Sequence, residues 1–215
     1  TEANDAAFGD ITAASLTINA GGNVTQTETT TITATGTTTL SGAGTVTLDE
    51  ASNDFTVVTG SIGAAALADA NGIAVEALTA TSNVVIDAGG DITLTTIDAN
   101  AISAETTNGA ITQTGGTITA TANVTLDQAG NNFGGPTGLS GQTVTIRDTD
   151  ALVLDDVTAT GTLIVNAGGA VSQYAASSVT VTETATVTAT GQTIDLGNGN
   201  DFRSTFVATG ADVTV

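Results

Sequence analysis

The chain has 215 residues, 40% of them hydrophobic but only 3% aromatic, and a formal net charge of −20 from 22 acidic and 2 basic residues. That charge excludes nucleic-acid binding, which rests on Lys and Arg against phosphate, and argues against anionic membrane surfaces. With no Cys and no His, disulfides, thiol chemistry, histidine triads and histidine metal sites are excluded as well.

Read from the N-terminus, "TEANDAAFGD" has the form of neither a signal peptide nor a membrane span. "NAGGNVTQ" at 19–26 is a Gly/Asn turn running into an alternating stretch. "TVTL" at 45–48, "ITLTTI" at 92–97, "TVTI" at 143–146 and "VTVTETATVTAT" at 179–190 put an aliphatic residue at every second position with Thr between. Period two predicts strands with one buried and one outward face. β-branched Val and Thr favour that conformation, and Thr makes up roughly a fifth of the chain, far above ordinary usage. The Ala-rich segment 63–78 reads as irregular strand rather than helix, because it aligns with the alternating 141–157. Positive mean hydropathy, +0.25, and regular alternation argue against disorder.

Two kinds of landmark alternate along the chain. Glycine pairs follow Ala at 21–22, 89–90 and 168–169; Phe follows Asn or Asp at Phe55, Phe133 and Phe202. Successive landmarks lie 34 or 35 residues apart except once, so 34-residue half-units build a repeat of 69 residues (202 − 133). The middle copy is longer, at 78 (133 − 55), and 95–113 is expected to carry a bulged loop. "NAGGNVTQ" returns as "NAGGAVSQ" at 166–173 and is expected to mark one fixed place in each unit.

Short strands, Gly/Asn corners and a short period predict an all-β parallel β-helix (β-solenoid) spanning 1–215 as one segment of a longer repeat protein. The period admits coils of about 17 or about 23 residues, nine to twelve coils and a rod about 50 Å long. Outward Thr is expected to form hydroxyl ladders. Asn19, Asp87 and Asn166 are expected at one corner, and Phe55, Phe133 and Phe202 at another place, filling core. Tandem immunoglobulin-like sandwiches are the alternative, disfavoured by the absence of Trp and the single Pro.

"NAGGAVSQ", "LDQAGNNFGG" and "IRDTDALVLDDVTATGTLIVNAGG" resemble the repeats of large bacterial surface and secreted proteins of the filamentous-haemagglutinin type. The resemblance implies a right-handed parallel β-helix exported by two-partner secretion or as an autotransporter-type adhesin. It implies a stalk located outside the cell or at its surface, serving adhesion or biofilm formation. The partners it implies are neighbouring repeats of the same polypeptide and surface glycans or proteins, with end-to-end self-association at open strand edges and no membrane insertion.

The remaining chemistry is carboxylate chemistry. Asp148, Asp150, Asp155 and Asp156 gather near Arg147, and alternation places Asp148 and Asp150 on one outward face. A carbohydrate-binding or carbohydrate-cleaving β-helix is therefore the alternative function, although a solvated corner explains the cluster more simply. "LGNGNDFRS" at 196–204 resembles a single calcium nonapeptide, with Asp201 as its ligand. No residue is assigned a catalytic, cofactor or metal role, the chain is not expected to be an enzyme, and calcium is the only cofactor left open.

Overall fold

A computed structural model describes residues 4–215. These residues form parallel strands stacked into about eleven coils, and contain no helix. Each coil has three faces. The first carries one strand per coil: Ala6–Phe8, Val24–Gln26, Thr45–Leu48, Ala64–Asp69, Asn83–Ala88, Ala101–Thr106, Asn123–Leu126, Thr143–Asp148, Leu163–Ala167, Ala185–Thr188 and Phe206–Thr209. We number the coils 1 to 11 by these strands.

The second and third faces belong to one folded sheet. In coil 1 they are Ile11–Ala13 and Leu16–Ala20, both paired with the long strand Ile32–Gly42 of coil 2. Asp54–Ile62, Ile73–Ala80 and Leu152–Ala159 likewise turn from the second face to the third. The bends coincide with register shifts, as between Ala34 and Thr37. Every ladder is parallel, from Ala6↔Val24 to Asp195↔Thr214. This removes the tandem-sandwich alternative.

Inward positions form continuous aliphatic columns. On the first face Val24, Val46, Ala65, Val84, Ile102, Val124, Val144, Leu163 and Ala185 stack rung on rung; all are buried. Each buried Leu, Ile or Val adds about 1.5–3 kcal/mol. Small side chains suffice because the interior is only one coil wide.

The register corrects several expectations. Coil length is not one fixed value: neighbouring rungs are offset by 17 at Val57↔Ala74, 18 at Asn83↔Ala101, 19 at Val46↔Ala65, 22 at Ile102↔Val124 and 23 at Val171↔Ile194. Corners absorb the variation, because a loop can lengthen while the inward columns stay aligned. Segment 95–113 is not a bulged loop. It supplies the strands Ile97–Ala99, Ala101–Thr106 and Ile111–Gln113, whose alternating apolar residues are buried in the stack. Segment 63–78 is strand, as expected.

The repeat also does not return to one face. "NAGGNVTQ" crosses from the third face to the first, whereas "NAGGAVSQ" crosses from the first to the second. The first-face column reaches Leu163 seven coils after Val24, so a displacement of 147 residues lands one face further on. For the same reason Asn19 stands on the third face, while Asp87 and Asn166 stand on the first. Phe55 and Phe133 lie on the second face and Phe202 on the third. Phe55 and Phe133 are buried core; Phe202 is half-buried against Phe206, ring centres 4.6 Å apart.

Outward Thr and Ser do stack by register, as in Thr119–Ser140–Thr158–Thr180 on the third face. Their hydroxyls, however, mostly bond backbone carbonyls, as Thr56 to Ala34 and Thr81 to Gly63. Thr31 to Ser52 is a hydroxyl pair.

Candidate functional site

The polar side chains with defined geometry are at the corners, where strand ladders end and backbone groups need other partners. One kind of partner is a carboxylate or amide that receives an N–H from the next coil. Asp10 accepts from Thr31, Asn23 from Thr45, Asp91 from Ala110 and Asp156 from Ser178, all at 2.8–3.0 Å. Asp156, one of the clustered acidic residues, is thereby a corner bracket. Each such bond to an ionised carboxylate is stronger than a neutral one.

A second arrangement is a clamp between coils. Gln26 ends a strand of coil 2. Its Nε2 donates to the Thr30 carbonyl at 3.0 Å and to Asn53 Oδ1 of coil 3 at 2.7 Å. Asn53 Nδ2 donates back to Gln26 Oε1 and to the Leu48 carbonyl, and Oδ1 also receives the Ile32 N–H. Asn53 is fully buried, and all of its amide capacity is used. The same set recurs between coils 9 and 10: Gln173 bonds the Ser177 carbonyl and pairs with Asn200, which receives the Val179 N–H and donates to the Leu196 carbonyl. The left-handed residues Thr29 and Ala176, both at φ 64°, turn the two equivalent loops. The shared octapeptide thus encodes this clamp, once at the first-to-second corner and once at the second-to-third. Sequence reasoning missed it because its two halves lie 27 residues apart.

Asp148 is not outward beside Asp150. It is 2% exposed, at the end of its first-face strand, while Asp150 is exposed in the following loop. The strand remains in phase to its last residue, so Asp148 falls on an inward position. Its Oδ1 receives the Asp150 N–H at 3.2 Å. It feels the Phe133 N–H, but Oδ2 forms no hydrogen bond. Burial, offset in part by those N–H groups and reinforced by Asp150, pushes its pKa up to about 6. Asp69 holds the matching place four coils earlier, with both oxygens bonded, to Phe55 N at 2.5 Å and Asn71 N at 2.8 Å. Burial raises its pKa as well, against those two bonds.

Asp69 and Asp148 thus occupy equivalent inward positions four coils apart, and Asp148 does not share an outward face with Asp150. Arg147 lies outward beside Asn166 in the register, and among the described residues it forms no ion pair. Asp201 pairs with Arg203 at 2.7 Å, both exposed, while Asn200 of the same nonapeptide is committed to the clamp. No three His, Cys, Asp or Glu residues converge as a metal site among the described residues.

Two shallow grooves, of about 220 and 270 Å³, lie at the second-to-third corner, and Tyr174 lines the first of them. Gln113, Pro136 and Asp155 line one; Gln173, Asp195 and Asn198 line the other. Tyr174 is 51% exposed and is the chain's single tyrosine.

A family model described as repeats of unknown function (DUF5649) matches residues 1–61, 81–140 and 141–209. Each matched stretch contains one of the glutamines Gln26, Gln113 and Gln173 and one of the asparagines Asn53, Asn131 and Asn200. No curated protein and no solved structure matches the chain.

Proposed function

The chain belongs to the DUF5649 repeat family, and from that premise we propose that it is a structural repeat segment, the stalk of a large secreted or surface-anchored bacterial adhesin. The observation that carries this reading is the parallel stack, continuous on the first face from coil 1 to coil 11. Such a stack is stiff along its axis and extends by adding coils, each bonded only to its neighbours. The polar side chains with defined geometry support corners rather than converge on a reacting atom. On this reading the role is length and stiffness. The partners this reading implies are neighbouring repeats of the same polypeptide or a second copy, since a stack grows by coil-to-coil pairing.

The test is replacement in the parent protein on the cell surface. Exchanging this segment for an unrelated solenoid of equal length should preserve adhesion and biofilm formation, and deleting it should reduce both. Loss of adhesion in the length-matched exchange refutes the stalk role. Labelling of intact cells with an antibody to the segment checks its exposure outside the cell. Light scattering across a concentration series checks self-association.

Glycan binding is the second reading, and the groove lined by Tyr174 favours it over the Asp148 corner. An exposed ring beside amides and carboxylates can stack on a sugar and bond its hydroxyls. A glycan array that registers no binding, or equal binding by Tyr174→Ala, removes it.

A further inference from the structure

The clamp is whole between coils 2 and 3 and between coils 9 and 10. Between coils 6 and 7 its halves are separated. Gln113 of coil 6 stands at the second-to-third corner, where Gln173 stands in coil 9; it bonds the Gly116 carbonyl and the Gly138 N–H. Asn131 of coil 7 stands at the first-to-second corner, where Asn53 stands in coil 3: its N–H donates to Gln128, as that of Asn53 does to Glu50. Its side chain is fully buried, and neither amide atom has a hydrogen-bond partner. The cause is legible in the register. Both 131 − 53 and 104 − 26 are 78, so the place of Gln26 is taken by Ala104, which has no amide to offer.

The strand ladders thin at the same interface. Coils 5 and 6 share six paired residues on the first face, three on the second and three on the third. Coils 6 and 7 share two on the first face and two on the third. On the second face they share one isolated bridge, Ile111↔Phe133. Coil 7 has no separate second-face strand: Gly134, Gly135 and Pro136 follow Phe133, and the face is rejoined only at Thr137, which registers with Leu154 of coil 8 before its strand turns to the third face. The dislocation arises where the repeat passes from 78 to 69 residues and the clamp shifts to the next corner.

We propose that the interface between coils 6 and 7 is a built-in seam, the internal point at which this rod opens first, dividing it into two blocks that stay folded. In a solenoid each interface contributes separately to stability, so the interface with the fewest ladder bonds and an unpaired buried amide yields before its neighbours.

Hydrogen exchange read by mass spectrometry on the intact chain tests this. Peptides covering 107–120 and 123–140 should exchange about tenfold faster than those covering the interior coils 64–94 and 143–173. Uniform rates across these regions, or faster opening in either interior block, overturn the proposal. Two engineered disulfides supply a second readout. Thr119→Cys with Ser140→Cys joins registered residues across the seam; Val85→Cys with Ser103→Cys joins registered residues across coils 5 and 6. The first should slow exchange in 123–140 by about tenfold and the second should leave it unchanged. The reverse pattern, or equal protection by both, overturns the proposal.

Discussion

Replacing Asn53 and Asn131 in turn by Ala separates an amide with four partners from one with none. Asn53→Ala removes two bonds shared with Gln26 and strands the Ile32 N–H and the Leu48 carbonyl in the interior. A buried group left without its partner costs about 1–3 kcal/mol, and a lost net hydrogen bond about 0.5–1.5 kcal/mol. Gln26 is only half-buried and can turn to water. The expected loss for Asn53→Ala is therefore about 3–5 kcal/mol. Asn131→Ala breaks no side-chain bond and removes a desolvated amide, so its effect should lie within about 1 kcal/mol of zero, on the stabilising side if the cavity closes. Urea unfolding followed by circular dichroism measures both, and exchange at Ile32 N–H reports the clamp locally even if the stack unfolds in stages. A Gln26→Ala/Asn53→Ala double variant should be no worse than Asn53→Ala by more than about 1 kcal/mol. Equal destabilisation by Asn53→Ala and Asn131→Ala would refute the clamp as an energetic unit.

Asp148 gives a pH prediction. Its pKa in the folded chain, about 6, lies above the unfolded value, so the folded state holds a proton that the unfolded state releases between about pH 4 and 6. Its contribution is fully present below that window and is lost as pH rises through it. Asp148→Asn should consequently be more stable than the parent at pH 7, by up to about 2–3 kcal/mol, with the difference vanishing near pH 4; a constant difference across the range contradicts this. Gly60, at φ +141°, would place a Cβ 1.8 Å from the Leu40 carbonyl oxygen, whereas a Cβ at Gly9 meets nothing within 4 Å. Gly60→Ala should cost more than about 3 kcal/mol and Gly9→Ala less than about 0.5 kcal/mol by urea titration. Calcium and chelator should both leave the melting temperature unchanged, since Asp201 is engaged by Arg203 and no carboxylates among the described residues gather to complete a shell; a calcium-dependent rise would point to the nonapeptide as a site.

Much of the fold was legible because a narrow solenoid has a simple code. Inward Val, Leu and Ile at every second position, with Thr outward, specify parallel rungs, and the burial of Ile32, Leu48, Leu154 and Val165 follows that code. The phase of the coil was not legible. Landmark spacing counts residues, whereas the stack counts rungs, and corners of unequal length break the proportion between them. Thus 95–113 reads as surplus beside a 69-residue repeat, yet Ile97, Ile102 and Ile111 each fill an inward position. The placement of the acidic pair was misread for a related reason: alternation continued past the loop 149–151 sets Asp148 and Asp150 on one side, whereas the strand ends at Asp148. The clamp was hidden because Gln and Asn near glycines read as ordinary turn residues. Only three-dimensional register brings position 26 to 53 and 173 to 200.

The drift of the clamp from one corner to the next means that successive copies of the same words face different azimuths around the rod. Any feature attached to the repeat winds about the axis instead of lining up along one flank. A partner approaching from a fixed side would meet a given copy only at intervals, so the spacing of contacts along a long fibre would be set by how repeat length and coil length fall in and out of step.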